Sequence, residues 1–138
     1  MKKTKLRKRK GLSRRSKGTI GTLKEKLWIV FSVYIRNRDK KCVTCGGGAE
    51  NAGHYIHNTE RLSCYGGNEL WYSEQNINAQ CVRCNKWKSG NLTKYAEYLE
   101  SVYGQGILQE LRKKYLLPKK WKREELQELL ERYKNLNE

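Results

Sequence analysis

The chain has 138 residues, room for one domain of ordinary size, and it carries 30 Lys and Arg against 14 Asp and Glu, a formal charge of +16. That excess points to a polyanionic partner, and no run approaches the roughly 20 apolar residues that span a bilayer. The N-terminus has a charged start with no apolar stretch behind it, which places the chain in the cytoplasm, where thiols stay reduced.

Residues 2–17 hold ten basic side chains and no acid, so they cannot bury enough apolar surface to order themselves. Residues 1–20 therefore read as a flexible basic arm that contacts nucleic acid, and 21–138 as one domain. "TLKE" reads as a capping box that starts a helix at Thr22, with Glu25 reaching back. Leu23, Leu27, Val30, Phe31, Tyr34 and Ile35 give this helix one apolar face, which ends near "RNRDKK". From Lys41 to Gln80 turn chemistry dominates, with "GHYIH" and "ELWYS" as short strands of a hairpin. Helix resumes at or just after Cys81, breaks near Ser89 and Gly90, and continues from an Asn91 cap to a Gly104 stop. "ILQELRKKY" adds a short helix. After Pro118, Trp121, Leu126, Leu129, Leu130, Tyr133 and Leu136 make the stripe of a last amphipathic helix, which packs on the domain's own core or forms a dimer seam.

Five cysteines include two Cys-x-x-Cys pairs, "CVTC" and "CVRC", with 35 residues between them. Two such pairs, Cys42 with Cys45 and Cys81 with Cys84, suit a tetrahedral four-thiolate zinc with no open position, hence a structural ion. The competing readings are a redox pair or two disulfides, which a reducing compartment disfavours. Cys64, alone in "RLSCYGG", reads as a free thiol. A closed zinc hydrolyses nothing, so chemistry must lie in residues that it positions. The two histidines, His54 and His57, fall between the cysteine pairs, and Asn85 follows Cys84 directly.

With "FSVYIRNRD", "CVTCG", "GHY", "EQN" at 74–76, "QCVRCN" and "SGN", the stretch from about Trp28 to Tyr103 resembles the phage NinG (Rap) recombination endonucleases, within the HNH or ββα-metal nucleases. Endonuclease VII-type resolvases show a similar Asn directly after the last zinc cysteine. The resemblance implies an α+β fold: a treble-clef zinc ββα-metal core flanked by N- and C-terminal helices. It implies His54 as general base, Asn76 as the residue that fixes the loop behind it, and Asn85 as ligand of a catalytic Mg²⁺ or Mn²⁺. Many HNH enzymes place an acid or His before the base, whereas this chain has Gly53, which offers only its backbone. His57 and Asn91 are the candidates for the second ligand. The implied activity is metal-dependent hydrolysis of DNA phosphodiesters at branched recombination intermediates, Holliday junctions and D-loops, by a homodimer where two symmetric cuts are needed. A general HNH nickase acting on duplex DNA and a non-catalytic zinc DNA-binding module are the alternative readings.

Overall fold

A computed structural model describes residues 19–57 and 68–138. The basic arm at 2–17 and Cys64 lie outside the described residues.

Helix α1, Ile20–Asp39, starts one residue beyond Thr19, whose hydroxyl accepts the Thr22 amide at 3.1 Å. The expected cap at Thr22 is thus corrected by one turn. Thr22 is already helical, and Thr19 has the extended backbone (ψ 157°) that a capping residue needs. Leu23, Leu27, Phe31 and Ile35, each four residues from the next, form the buried stripe, with Val30 and Tyr34 packed at its margin. Lys40, at φ +64°, ends the helix by donating its amide to Arg36 O.

The final helix, α4, Arg123–Asn137, lays Leu126, Leu130 and Tyr133 against that stripe, and Trp121 joins them from just ahead of it. Tyr133 meets Phe31 edge to face at 4.8 Å, and Asn137 Nδ2 donates to Val30 O at 2.9 Å. The stripe that the sequence left open between core and dimer seam is therefore used within the chain from Trp121 to Tyr133, while Leu136, the last residue of the expected stripe, stays exposed. A second core lies between α2, Leu92–Tyr103, and α3, Ile107–Tyr115, where Tyr95, Leu99, Ile107 and Leu111 close over Leu70.

Between these helical layers sits a two-stranded antiparallel sheet, β1 Asn51–His54 and β2 Ile77–Gln80, with Gly53 opposite Asn78 and His54 opposite Ile77. "GHYIH" is strand only as far as His54. "ELWYS" is not a strand: Glu69–Tyr72 is a 3₁₀ turn capped by Asn68, whose side chain accepts the Leu70 amide at 2.9 Å. The partner of β1 is instead "INAQ", all four of whose residues are buried although two are amides. Arg38 and Asp39 at the end of α1 hold that strand. Arg38 donates to Ile77 O and Asn78 Oδ1, while Asp39 Oδ2 accepts the Ala79 amide at 2.8 Å. The fold is mixed α+β, and no helix among the described residues is long and apolar enough to cross a membrane.

Candidate metal centre and adjoining groove

Cys42 to Gly47 form a tight knuckle. The Cys42 amide donates to Gly47 O, Gly46 donates to Cys42 O, and Gly46 takes φ +80°, a conformation that only glycine adopts without cost. A bridge between Lys41 and Gly48 closes its neck, and the Val43 amide, donating to Ala79 O at 2.9 Å, docks it on β2. The second pair follows β2 directly: Cys81 ends the strand, and Cys84 lies in a π-helical turn, Arg83–Trp87.

These four sulfurs lie within 4.8 Å of one another, with Cys45 and Cys81 3.6 Å apart. Tetrahedral zinc with bonds of about 2.3 Å needs sulfurs about 3.8 Å apart, so the cluster fits a metal such as zinc. Donors already surround the sulfurs. Gly47 N lies 3.4 Å from Cys45 Sγ, Cys84 N lies 3.4 Å from Cys81 Sγ, and Asn91 Nδ2 lies 3.6 Å from Cys84 Sγ. Burial opposes ionisation of Cys42, yet the Thr44 hydroxyl and neighbouring amides bring its thiol down to about 6. At Cys45 the Gly47 amide pulls downward, but the three other sulfurs outweigh it and push the thiol up to about 12. Four thiols this close cannot all ionise alone, and a divalent cation removes that conflict.

The groove beside the cluster is built from α1, β1 and the turn after Cys84. His54, half-buried at the end of β1, stacks on Trp28 of α1, with centroids 5.0 Å apart and planes 15° from parallel. Burial, with a smaller contribution from His57, lowers its pKa from 6.5 to about 4, so the imidazole is neutral at physiological pH. The exposed His57 ring is 6.0 Å from that of His54. Asn85 lies over β1, its Oδ1 2.9 Å from where a Cβ at position 53 would stand. With Trp28, Ser32, Arg36, Glu50, Asn51, Ala52 and Lys86 it lines an open groove of about 360 Å³.

Asn76 is fully buried and makes a pair of hydrogen bonds with one residue: Oδ1 accepts the Ile56 amide and Nδ2 donates to Ile56 O, both at 2.9 Å. Its side chain thereby continues the strand ladder past His54 and fixes the backbone that follows. Asn91 directs its amide nitrogen to Cys84 Sγ at 3.6 Å. The Gly53 carbonyl oxygen accepts the buried Tyr95 hydroxyl at 2.6 Å.

Sequence reasoning missed Trp28, Tyr95 and above all Gln80. Gln80 is wholly buried, and its Nε2 donates to Gly90 O at 2.7 Å and to Thr44 Oγ1 at 3.2 Å. Its Oε1 accepts no hydrogen bond among the described residues and occupies the space beside Gly53, 2.0 Å from where a Cβ would go. One amide thus links the knuckle, the turn after the second cysteine pair and β1. The only hint in the sequence was its place beside Cys81.

The architecture defines a small α+β protein in which a four-cysteine cluster able to hold a metal lies beside a two-stranded sheet and a polar groove lined by Arg36, Lys86 and Glu50. The family described as "Bacteriophage Lambda NinG protein" matches residues 1–137, and the chain belongs to the NinG family. Over 79 residues it is 38% identical to Protein ninG of Escherichia phage lambda, covering 55% of this chain and 36% of that one. Protein ninG of Escherichia phage 933W is 37% identical and that of Salmonella phage P22 35%, over the same shares. The match thus spans about a third of the length of these relatives. No solved structure matches the chain.

Proposed function

We propose that this chain is a metal-dependent DNA endonuclease of the HNH type that acts on branched recombination intermediates. The observation that carries the reading is the grouping around β1: a neutral His54 stacked on Trp28, and Asn85, one residue after a cysteine of the metal cluster, lying over the adjacent Gly53 and lining one groove with that same Trp28. A neutral imidazole near a polar groove is equipped to take a proton from water attacking a phosphodiester. Asn76 holds the backbone behind His54 in place, and Arg36 and Lys86 give the groove the charge that a phosphate backbone requires. Asn85 supplies the hard oxygen donor suited to Mg²⁺ or Mn²⁺, an ion that with water and phosphate oxygens would offset charge on the phosphate and the leaving oxygen. His57, its ring 6.0 Å from that of His54, and Asn91, at the edge of the cysteine cluster, are the candidates for the second ligand. The formal charge of +16 supports DNA as the partner.

The test is to incubate the zinc-loaded chain with a four-way junction, a matched linear duplex and a single strand, with and without Mg²⁺. Metal-dependent cutting of the junction, reduced roughly 10²- to 10⁴-fold in His54→Ala with DNA binding retained, is the expected result. Equal cutting of linear duplex would instead identify a general nickase. Binding without cutting under any metal would identify a zinc DNA-binding module and overturn the enzymatic reading.

A further inference from the structure

Two residues beyond Asn85 stands Trp87, 82% exposed, the largest exposure among the bulky apolar side chains of the described residues. Its neighbours Arg83, Lys86 and Lys88 are exposed as well, and Lys86 lines the groove that holds Asn85. An indole in water is common enough alone. Here it projects from a fixed platform. The turn is anchored at one end by Cys84 in the metal cluster and at the other by Gln80 Nε2 on Gly90 O. Lys88 N to Arg83 O and Gly90 N to Cys84 O, both 2.9 Å, close it internally. Ser89 and Asn91 both hold φ +49°, a left-handed conformation that few non-glycine residues other than Asn and Asp adopt. A strained, doubly anchored turn that presents an aromatic ring among cations, beside a groove, is suited to a ligand with a flat apolar face and a negative backbone.

We infer that Trp87 is a stacking platform for an unpaired nucleic-acid base, with the strand's phosphates on Lys86, Lys88 and Arg83. The inference rests on the DNA reading above and deepens it: it gives the groove a preference for strands whose base faces are accessible, as in single strands and at branch points, over intact duplex. A membrane-inserting indole is the competing use of a Trp among lysines. The neighbouring groove, lined by polar and charged side chains, favours a strand.

Binding of the zinc-loaded chain, without added Mg²⁺ so that nothing is cut, is measured at one salt concentration. The probes are a dT oligonucleotide, a four-way junction, a blunt duplex and anionic phospholipid vesicles. Trp87→Ala should weaken oligonucleotide binding about 5- to 150-fold, the range for loss of one base–aromatic stack, and leave duplex binding within about 2-fold. Trp87→Phe should retain most of the affinity. Tryptophan fluorescence should be quenched by the oligonucleotide in the parent and much less so in Trp87→Ala, because Trp28, Trp71 and Trp121 are all more buried. Joint replacement of Lys86 and Lys88 by Ala should weaken every DNA form alike and reduce the salt slope. Unchanged oligonucleotide binding in Trp87→Ala, equal losses on all DNA forms, or quenching by vesicles and not by oligonucleotide would overturn the inference. Trp87-dependent strand binding without cutting under Mg²⁺ would leave it standing and remove the nuclease reading.

Discussion

Gly53 stands directly before His54 on β1, and the structure gives the reason for a glycine there in atoms. A Cβ at this position would lie 2.0 Å from Gln80 Oε1 and 2.9 Å from Asn85 Oδ1. Asn85 is half-exposed and can rotate away at little cost, whereas Gln80 is wholly buried and tied by Nε2 to Gly90 O and Thr44 Oγ1. In Gly53→Ala, Gln80 has to give way. Losing its two hydrogen bonds costs about 1 kcal/mol each, and the buried Gly90 carbonyl left without a donor costs a further 1–3 kcal/mol. The expected destabilisation is roughly 3–5 kcal/mol, a large share of the 5–15 kcal/mol typical of a domain. In a Gln80→Ala background the obstruction is gone, so adding Gly53→Ala should change stability by less than about 0.5 kcal/mol, which makes the pair strongly non-additive. Urea unfolding of the four zinc-saturated proteins measures the cycle. A Gly53→Ala variant as stable as the parent, or one that costs as much with Gln80 removed, would refute this account.

Cys84→Ser should abolish the cooperative, protease-resistant fold, because structural zinc contributes about 10–16 kcal/mol in small zinc domains, as much as a whole domain's stability. Metal analysis of the parent should find about one zinc per chain, and a cooperative melt that persists after complete zinc removal would contradict this. His54, held at about 4 against 6.5 in the unfolded chain, binds a proton more readily when unfolded. Its contribution to stability is therefore fully present above pH 6.5 and is lost as pH falls through 4. Its imidazole resonances should stay unshifted between pH 5.5 and 8, and a midpoint near 6.5 would show that the stack on Trp28 does not exclude water.

What the sequence made legible was whatever repeats. Leu23, Leu27, Phe31 and Ile35 advertise a helix face at intervals of four, and the two cysteine pairs advertise a metal cluster by their spacing. The helix start was misplaced because both Thr19 and Thr22 are competent caps, and the choice depends on backbone that tertiary contacts settle. Strand β2 was missed because "INAQ" is half amide. Asn78 is satisfied by Arg38, the Tyr95 hydroxyl and the nearby Gln75 carbonyl, and Gln80 by Gly90 and Thr44, so that all but one of these partners lie 10 to 40 residues away in the chain. "ELWYS" looked like a strand because Leu70 and Tyr72 alternate, yet they serve two different cores on either side of a 3₁₀ turn.

Four consecutive residues explain why the metal cluster and the groove are one device. In a helical turn successive side chains fan out by roughly a quarter of a turn, so neighbours in sequence face different surroundings. Cys84 points into the cluster, Asn85 over β1, Lys86 into the groove, and Trp87 into solvent. Fixing the first fixes the direction of the other three. Loss of Cys84 should therefore remove fold, groove and stacking platform together and reveal nothing about which of them acts. Asn85→Ala and Trp87→Ala each remove one direction and leave Cys84 in place. If Asn85→Ala slowed cutting in a way that added Mn²⁺ partly restored, while Trp87→Ala changed strand preference and not metal response, the two tasks of this turn would be separated.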